Sequence, residues 1–273
     1  MQLKEIKNNI DENNFDFKKK FGQNFIIDEN IINGIISKAD IDKDTLVIEI
    51  GPGAGSLTTS LVKKAGYVLC YEIDTTLKPI LDKVLSNDEN VSVIFEDFLK
   101  ANVMDKLSEF NYKKTYVVAN LPYYITTPII MKFIDEKINV DKIIIMVQKE
   151  VGDRFKAKEG SKDYSSLSIF LNYYFDIKKI MDVSRHVFMP KPNVDSIVIE
   201  MDKRPCKYNV KNEEVFFKLI RDSFKQKRKT IKNNLKDYDL DKISKVLEKN
   251  GFSLQSRAEQ IPMNVFIEIS NNL

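Results

Sequence analysis

The chain has 273 residues, with 43 Lys+Arg, 40 Asp+Glu and one His, for a net charge of +3. A hydrophobic content of 43% excludes a disordered chain. The longest aliphatic run, Ile143–Val147, is far short of the ~20 residues that span a bilayer, so no membrane partner is expected.

Residues 1–17 are polar and carry Glu5, Asp11, Glu12 and Asp16 before any apolar run, which reads as a flexible arm and not a targeting segment. From position 28 onward, β-rich runs alternate with helical stretches. Leu46–Ile50, Tyr67–Glu72, Val91–Phe95, Thr115–Ala119 and Ile143–Val147 read as buried strands. Helices are expected near 29–38, 56–65, 76–86, 102–109 and 128–137, with Ser56 and Thr127 as candidate caps. This alternation predicts an α/β fold, a parallel sheet with helices on both faces. Two more strands, Tyr174–Val183 and Asp195–Met201, are joined too closely for a helical crossover and should be antiparallel. Arg204-Pro205 marks the expected domain boundary, and beyond it helices are expected near 212–235, 239–250 and 262–272.

The first strand runs into Glu49-Ile50-Gly51-Pro52-Gly53-Ala54-Gly55. Glycines there let the backbone turn sharply and let a ligand approach it. The second strand ends in Glu72, where a carboxylate can take the two hydroxyls of a ribose. The loop alone could be a plain tight turn before a helix, but with Glu72 at that strand end a nucleoside-bearing cofactor is the better reading. The spacing is G-x-G-x-G and not the G-x-G-x-x-G of dinucleotide enzymes, and Pro52 removes an N–H that a pyrophosphate would use. S-adenosyl-L-methionine (SAM), a sulfonium without phosphates, fits better. Asp97, after the third strand, suits either a loop cap or an acceptor for an adenine amine.

The fourth strand ends in Asn120-Leu121-Pro122-Tyr123. An adenine amine is a poor nucleophile because its lone pair is delocalised into the ring. Two acceptors on its hydrogens favour the pyramidal nitrogen of a transition state. The Asn120 side-chain oxygen and the Leu121 carbonyl, aimed by Pro122, supply two acceptors. Tyr123 supplies a stacking face. No general base is required before transfer, which suits a chain whose one histidine, His186, leaves little room for Ser-His-Asp chemistry. Cys70 and Cys206 lack a second Cys or a His at ligand spacing, so no metal is expected. Two thiols without an export signal fit a cytoplasmic protein.

On these motifs the chain resembles the ribosomal RNA adenine dimethyltransferases, most closely their small-subunit branch, the KsgA/RsmA family. The resemblance runs from about Lys18 to the C-terminus, and Leu121, where the large-subunit branch carries Ile, favours the small-subunit side. It implies a Rossmann-like SAM-dependent methyltransferase domain at 18–202 and a small all-helical RNA-binding domain at 203–273. In Lys20-Phe21-Gly22-Gln23-Asn24-Phe25, the resemblance implies that Gln23, Asn24 and the Ile26 backbone enclose the methionine end of the cofactor. It implies cofactor contacts at Gly51, Gly53, Glu72, Asp97 and Asn120, and a second aromatic, Phe188, that sandwiches the target adenine against Tyr123. Gln148-Lys149-Glu150-Val151 and Tyr164-Ser165-Ser166-Leu167-Ser168 also match, without an evident chemical role. The implied reaction is dimethylation at N6 of two adjacent adenosines, in a hairpin near the 3′ end of 16S rRNA. The implied partner is a pre-30S particle, and the protein is expected to act as a monomer.

Charge is unevenly spread. Residues 1–202 hold 27 basic and 31 acidic side chains, while 203–273 hold 16 basic and 9 acidic. Taken as one helix, 213–236 gathers Lys218, Arg221, Lys225, Lys229, Lys232 and Lys236 opposite an apolar face. Such a stripe is either a solvated face or a track for RNA phosphates, and its lack of acids favours the track.

Overall fold

The computed structural model describes residues 24–205 and 207–273. The expected arm at 1–17 and the candidate Gln23 lie outside the described residues. Two compact units form. One runs to Lys149 and resumes over Lys178–Asp202, and the other joins Glu150–Ile177 to Lys203–Leu273.

The sheet consists of β2 (Thr45–Ile50), β3 (Tyr67–Tyr71), β4 (Val91–Ile94), β5 (Lys114–Asn120), β6 (Lys142–Gln148), β7 (Phe175–Val183) and β9 (Ser196–Lys203), all in the first unit except Phe175–Ile177 and Lys203. Its strand order is β4-β3-β2-β5-β6-β9-β7. β2 is buried at every position, as a central parallel strand covered on both faces must be. β2 pairs in parallel with β3 and β5, β3 with β4, and β5 with β6, whereas β9 runs antiparallel to β6. Strand succession therefore reverses between β2 and β5. Ligands bind beyond the strand ends at such a switch point.

Helix α1 (Glu29–Lys38) shows how the covering layers form. Ile32, Ile35 and Ile36 recur at helical spacing and are buried, and the Asp28 side chain caps the Asn30 N–H at 2.8 Å. They join Leu61 and Val62 of α2 (Thr58–Lys64) and the strand residues Val47, Val68 and Val118 in one core cluster. The connections α3 (Lys78–Val84), α4 (Val103–Leu107) and α5 (Thr126–Asp135) complete the alternation. Two cap expectations fail. No side chain caps α2, and α5 starts before Thr127, directly after a 3-10 turn at Tyr123–Ile125. A short antiparallel pair, β1 (Phe25–Ile26) with β8 (Phe188–Met189), sets Ile26 opposite Phe188.

The motif at 148–151 opens α6 (Lys149–Phe155), and Ser165 caps α7 (Ser166–Tyr174) through a capping box with Ser168. The Ser168 hydroxyl also donates to the Arg154 carbonyl at 2.8 Å, so both motifs serve helix–helix geometry. The remaining helices are α8 (Glu213–Ser223), α9 (Ile231–Asn234), α10 (Leu240–Lys249) and α11 (Met263–Asn272). Tyr173 meets Phe216 and Phe217 at ring distances of 5.4 and 5.2 Å, and its hydroxyl donates to Glu213 at 2.8 Å. Glu150–Ile177, which the sequence reading keeps with the sheet, thus packs with α8.

The single helix expected over 213–236 is corrected: it stops at Ser223. Lys225-Gln226-Lys227-Arg228-Lys229-Thr230 offers no apolar side chain to continue the buried face, and four cations repel along it. Tertiary bonds then fix the break. The Asn234 amide donates to the Ser223 carbonyl at 2.6 Å, the Ile231 N–H to the Ser256 carbonyl at 2.9 Å, and Thr230 bridges Arg257.

Candidate active site

A cavity of about 300 Å³ lies at the carboxyl ends of β2 to β5. Gly51 and Gly53 line it from the loop after β2, Glu72 from the end of β3, Asp97 from beyond β4, and Asn120, Leu121, Pro122 and Tyr123 from the end of β5. Asn24 lines it as well. The structure therefore brings together most of the candidate residues, although they span about a hundred positions of chain.

The glycines are required by conformation and by space. Gly51 and Gly53 have φ of 71° and 58°, and a Cβ on Gly53 would sit 2.7 Å from the Phe25 ring. Glu72 reaches under this loop. One carboxylate oxygen accepts the Gly53 N–H at 3.1 Å and the other the Asp74 N–H at 2.8 Å. Burial pushes its carboxyl above the usual range, opposed by those two N–H groups. Beneath it, burial pushes the Glu49 carboxyl up to about 8. The buried Cys70 thiol donates to Glu49 at 3.6 Å.

Asp97 accepts the Leu99 N–H through Oδ1 at 3.0 Å. Asn120 donates its amide N–H to the Asn24 carbonyl at 2.8 Å, which leaves the amide oxygen as its acceptor. The Pro122 carbonyl is engaged by the Ile125 N–H and the Thr126 hydroxyl. The Tyr123 hydroxyl and Ser196 Oγ lie 2.9 Å apart, which fixes the half-buried ring. Burial raises the Tyr123 phenol, with Ser196 opposing.

Two candidates are placed elsewhere. Ile26 does not line the cavity; it borders a recess of about 20 Å³ beside Glu49, Gly51 and Asn120. Phe188 is 3% exposed, belongs to the core cluster of Ile26 and Val183, and is not among the residues that line the cavity. Pairing with β1 orients it, a constraint that its own motif does not show. Sequence reasoning missed Phe25, Tyr71 and Phe98 as cavity walls and Ser196 as the anchor of Tyr123. Only tertiary proximity gives them these places.

The lining suits a phosphate-free cationic nucleoside. It carries Glu72, Glu96 and Asp97, and among its described residues there is no Lys, Arg or His to meet a pyrophosphate. Among the described residues no group of His, Cys, Asp or Glu is placed to hold a metal, and no helix is long and apolar enough to cross a membrane.

The six expected RNA contacts lie in the second unit. Lys218 donates to the Tyr238 hydroxyl at 3.3 Å and lies 3.6 Å from Asp222, and Arg221 lies over the Phe170 ring at 5.3 Å. Lys225, Lys229, Lys232 and Lys236 are exposed on the turn and beyond it, so the six do not share one helical face.

Residues 14–273 match the profile of the family described as ribosomal RNA adenine dimethylase. The ribosomal RNA small subunit methyltransferase A of Macrococcus caseolyticus is 46% identical over 274 residues, covering 97% of this chain and 92% of that protein. Its counterpart in Staphylococcus aureus is 47% identical over 269 residues, covering 95% and 91%. Among solved structures, a dimethyladenosine transferase from Plasmodium falciparum superposes with a TM-score of 0.73 at 25% identity, over 89% of this chain and 94% of that one. The 23S rRNA methyltransferase ErmE shares the fold, with a TM-score of 0.68 at 24% identity over 91% and 99%. With a profile match over nearly the whole chain and relatives almost half identical across it, the chain belongs to the ribosomal RNA adenine dimethylase family, whose methyl donor is S-adenosyl-L-methionine.

Proposed function

We propose that this chain dimethylates N6 of two adjacent adenosines in a hairpin near the 3′ end of 16S rRNA, acting as a cytoplasmic monomer on a pre-30S particle during small-subunit biogenesis. The observation that carries this reading is the position of Asn120-Leu121-Pro122-Tyr123. This segment lines the same cavity as the glycine loop, Glu72 and Asp97, and Asn24 orients its amide.

When bound, S-adenosyl-L-methionine supplies an electrophilic methyl group on its sulfonium. Glu72 receives the ribose hydroxyls, and Asp97 the adenine amine of the cofactor. Asn120 Oδ1 and the Leu121 carbonyl accept the two N–H bonds of the target amine. They gain strength as the nitrogen becomes pyramidal and positive, which lowers the barrier. Tyr123 stacks on the flipped base. Its ring is set by Ser196 before the base arrives, so little ordering remains to be done on binding. The proton leaves after the nitrogen has gained its methyl, so the chain needs no base of high pKa at this point. Glu72 is committed to the Gly53 and Asp74 N–H groups, and burial keeps the Glu49 carboxyl, at about 8, protonated at neutral pH, so neither serves as that base.

RNA is held by the exposed cations of the second unit, with Lys225, Lys229 and Lys232 on and beside the turn after α8 as its centre. Their contacts are to phosphates, which hold register without reading sequence.

The test is Asn120→Ala with 30S subunits as substrate. Methyl transfer should fall by ~100- to 1,000-fold, while SAM affinity is only weakened. Wild-type turnover in that variant removes the mechanism. Primer-extension stops on 16S rather than 23S rRNA locate the product.

A further inference from the structure

We propose that Lys132 is a positioning residue for adenine recognition in the cofactor site, acting through the Glu96–Leu99 segment. The inference rests on the SAM reading above and on Asp97 as the partner of the cofactor's amine.

Lys132 stands on α5, the helix that follows the Asn120–Tyr123 segment, and its side chain is only 7% exposed. A buried ammonium is costly unless its donors are used. Lys132 uses them in two directions. Nζ donates to Glu136 at 2.7 Å and to the Leu99 carbonyl at 3.3 Å. The Glu136 pair is an i,i+4 contact that a solvent-facing lysine makes equally well, and it does not require burial. The Leu99 bond does require it, because it crosses from α5 to the loop after β4.

That loop is the wall where Asp97 sits. Leu99 is held at both ends: its N–H donates to Asp97 Oδ1 at 3.0 Å, and its carbonyl accepts from Lys132. Between them lies Phe98, 4% exposed, with Lys132 Nζ 6.0 Å from its ring centroid. The ring meets Tyr71 edge-on at 5.3 Å and Phe133 at 5.5 Å. Lys132 thus pins Phe98 and Leu99 together, and Leu99 commits one Asp97 oxygen. Asp97 lines the cavity, and Oδ2 is the oxygen that this bond leaves for a ligand. A carboxylate whose one oxygen is tied presents the other in a single direction, which is what selection for an exocyclic amine needs.

Calorimetric titration of two ligands tests this. One is S-adenosyl-L-homocysteine; the other is the same molecule with hydrogen in place of the 6-amino group. The wild type should prefer the amine-bearing ligand. Lys132→Met should bind that ligand ~10-fold more weakly and the 6-hydrogen analogue unchanged. Lys132→Arg, which keeps a charged donor, should recover most of the preference. Lys132→Gln gives the same selective loss as Met if the Met variant does not fold. Equal weakening of both ligands, or weakening of neither, overturns the proposal. A wild-type protein that binds neither ligand overturns the cofactor reading itself and the proposal with it.

Discussion

The side-chain amide of Asn120 donates to the backbone carbonyl of Asn24 at 2.8 Å, linking residues 96 positions apart. This one bond decides which end of the amide is left to the cavity that Asn120 lines. Asn120→Asp replaces the donor with an anionic oxygen set against a carbonyl oxygen. An unpaired carbonyl and a misplaced charge cost about 1–3 kcal/mol. The variant should unfold at lower urea concentration than the wild type and lose methyl transfer by at least ~100-fold. Retained transfer would show that orientation by Asn24 is dispensable.

Tyr123 and Phe188 separate by their burial. Tyr123→Ala removes a stacking face worth about 1–3 kcal/mol per base, so RNA affinity and turnover should fall, and loss of the Ser196 bond should lower the unfolding midpoint by less than Phe188→Ala does. Phe188→Ala empties a core position and should cost about 3–5 kcal/mol of stability. Paired denaturation and RNA-binding curves for the two variants check the distinction. A stable, binding-defective Phe188→Ala protein would instead place Phe188 at the base site.

Glu49 imposes a pH dependence on stability. Burial holds its folded carboxyl at about 8 against 4.5 for a free glutamate, so between these values the folded state holds a proton that the unfolded state has released. Stability therefore falls as pH rises through that window and levels off above it, by at most about 5 kcal/mol. The raised Glu72 carboxyl acts in the same direction. Melting temperatures from pH 5 to 9 should fall in the wild type and flatten in Glu49→Gln. Parallel profiles for the two would remove Glu49 as the cause.

The cationic turn after α8 should govern the salt dependence of RNA binding. Each phosphate contact contributes about 0.7–0.9 to the slope of log K against log salt. Neutralising Lys225, Lys229 and Lys232 together should reduce the slope by about 2 to 3 without changing methylation of the RNA once it is bound. Fluorescence titrations across a salt series measure this. An unchanged slope leaves these side chains as a solvated face.

Much of the site was legible because its chemistry is local in sequence. The glycines after β2, Glu72 at the end of β3 and Asn120 at the end of β5 each follow a run of apolar, β-branched residues. A parallel sheet brings such strand ends to one edge. Phe188 was not legible in the same way. Its environment depends on a two-residue pairing with Ile26, more than 160 positions away, and periodicity carries no trace of that contact. The cationic stripe failed for a related reason. Helical spacing continues on paper through 225–230, but a helix lasts only while its inner face has something to bury.

The +3 net charge says little when taken whole, whereas its division into an acidic body and a basic final quarter is a property of the sequence alone. So are the alternation of strands and helices and the order in which the chemical groups occur, because residue type and spacing carry them directly. Tertiary structure alone decided which amide end of Asn120 faces the cavity and what anchors Tyr123. It also decided that Phe188 lies in the core and that the cations after Ser223 leave the helix. These outcomes depend on hydrogen bonds and packing between distant segments, whose energies exceed the local preferences that a sequence displays.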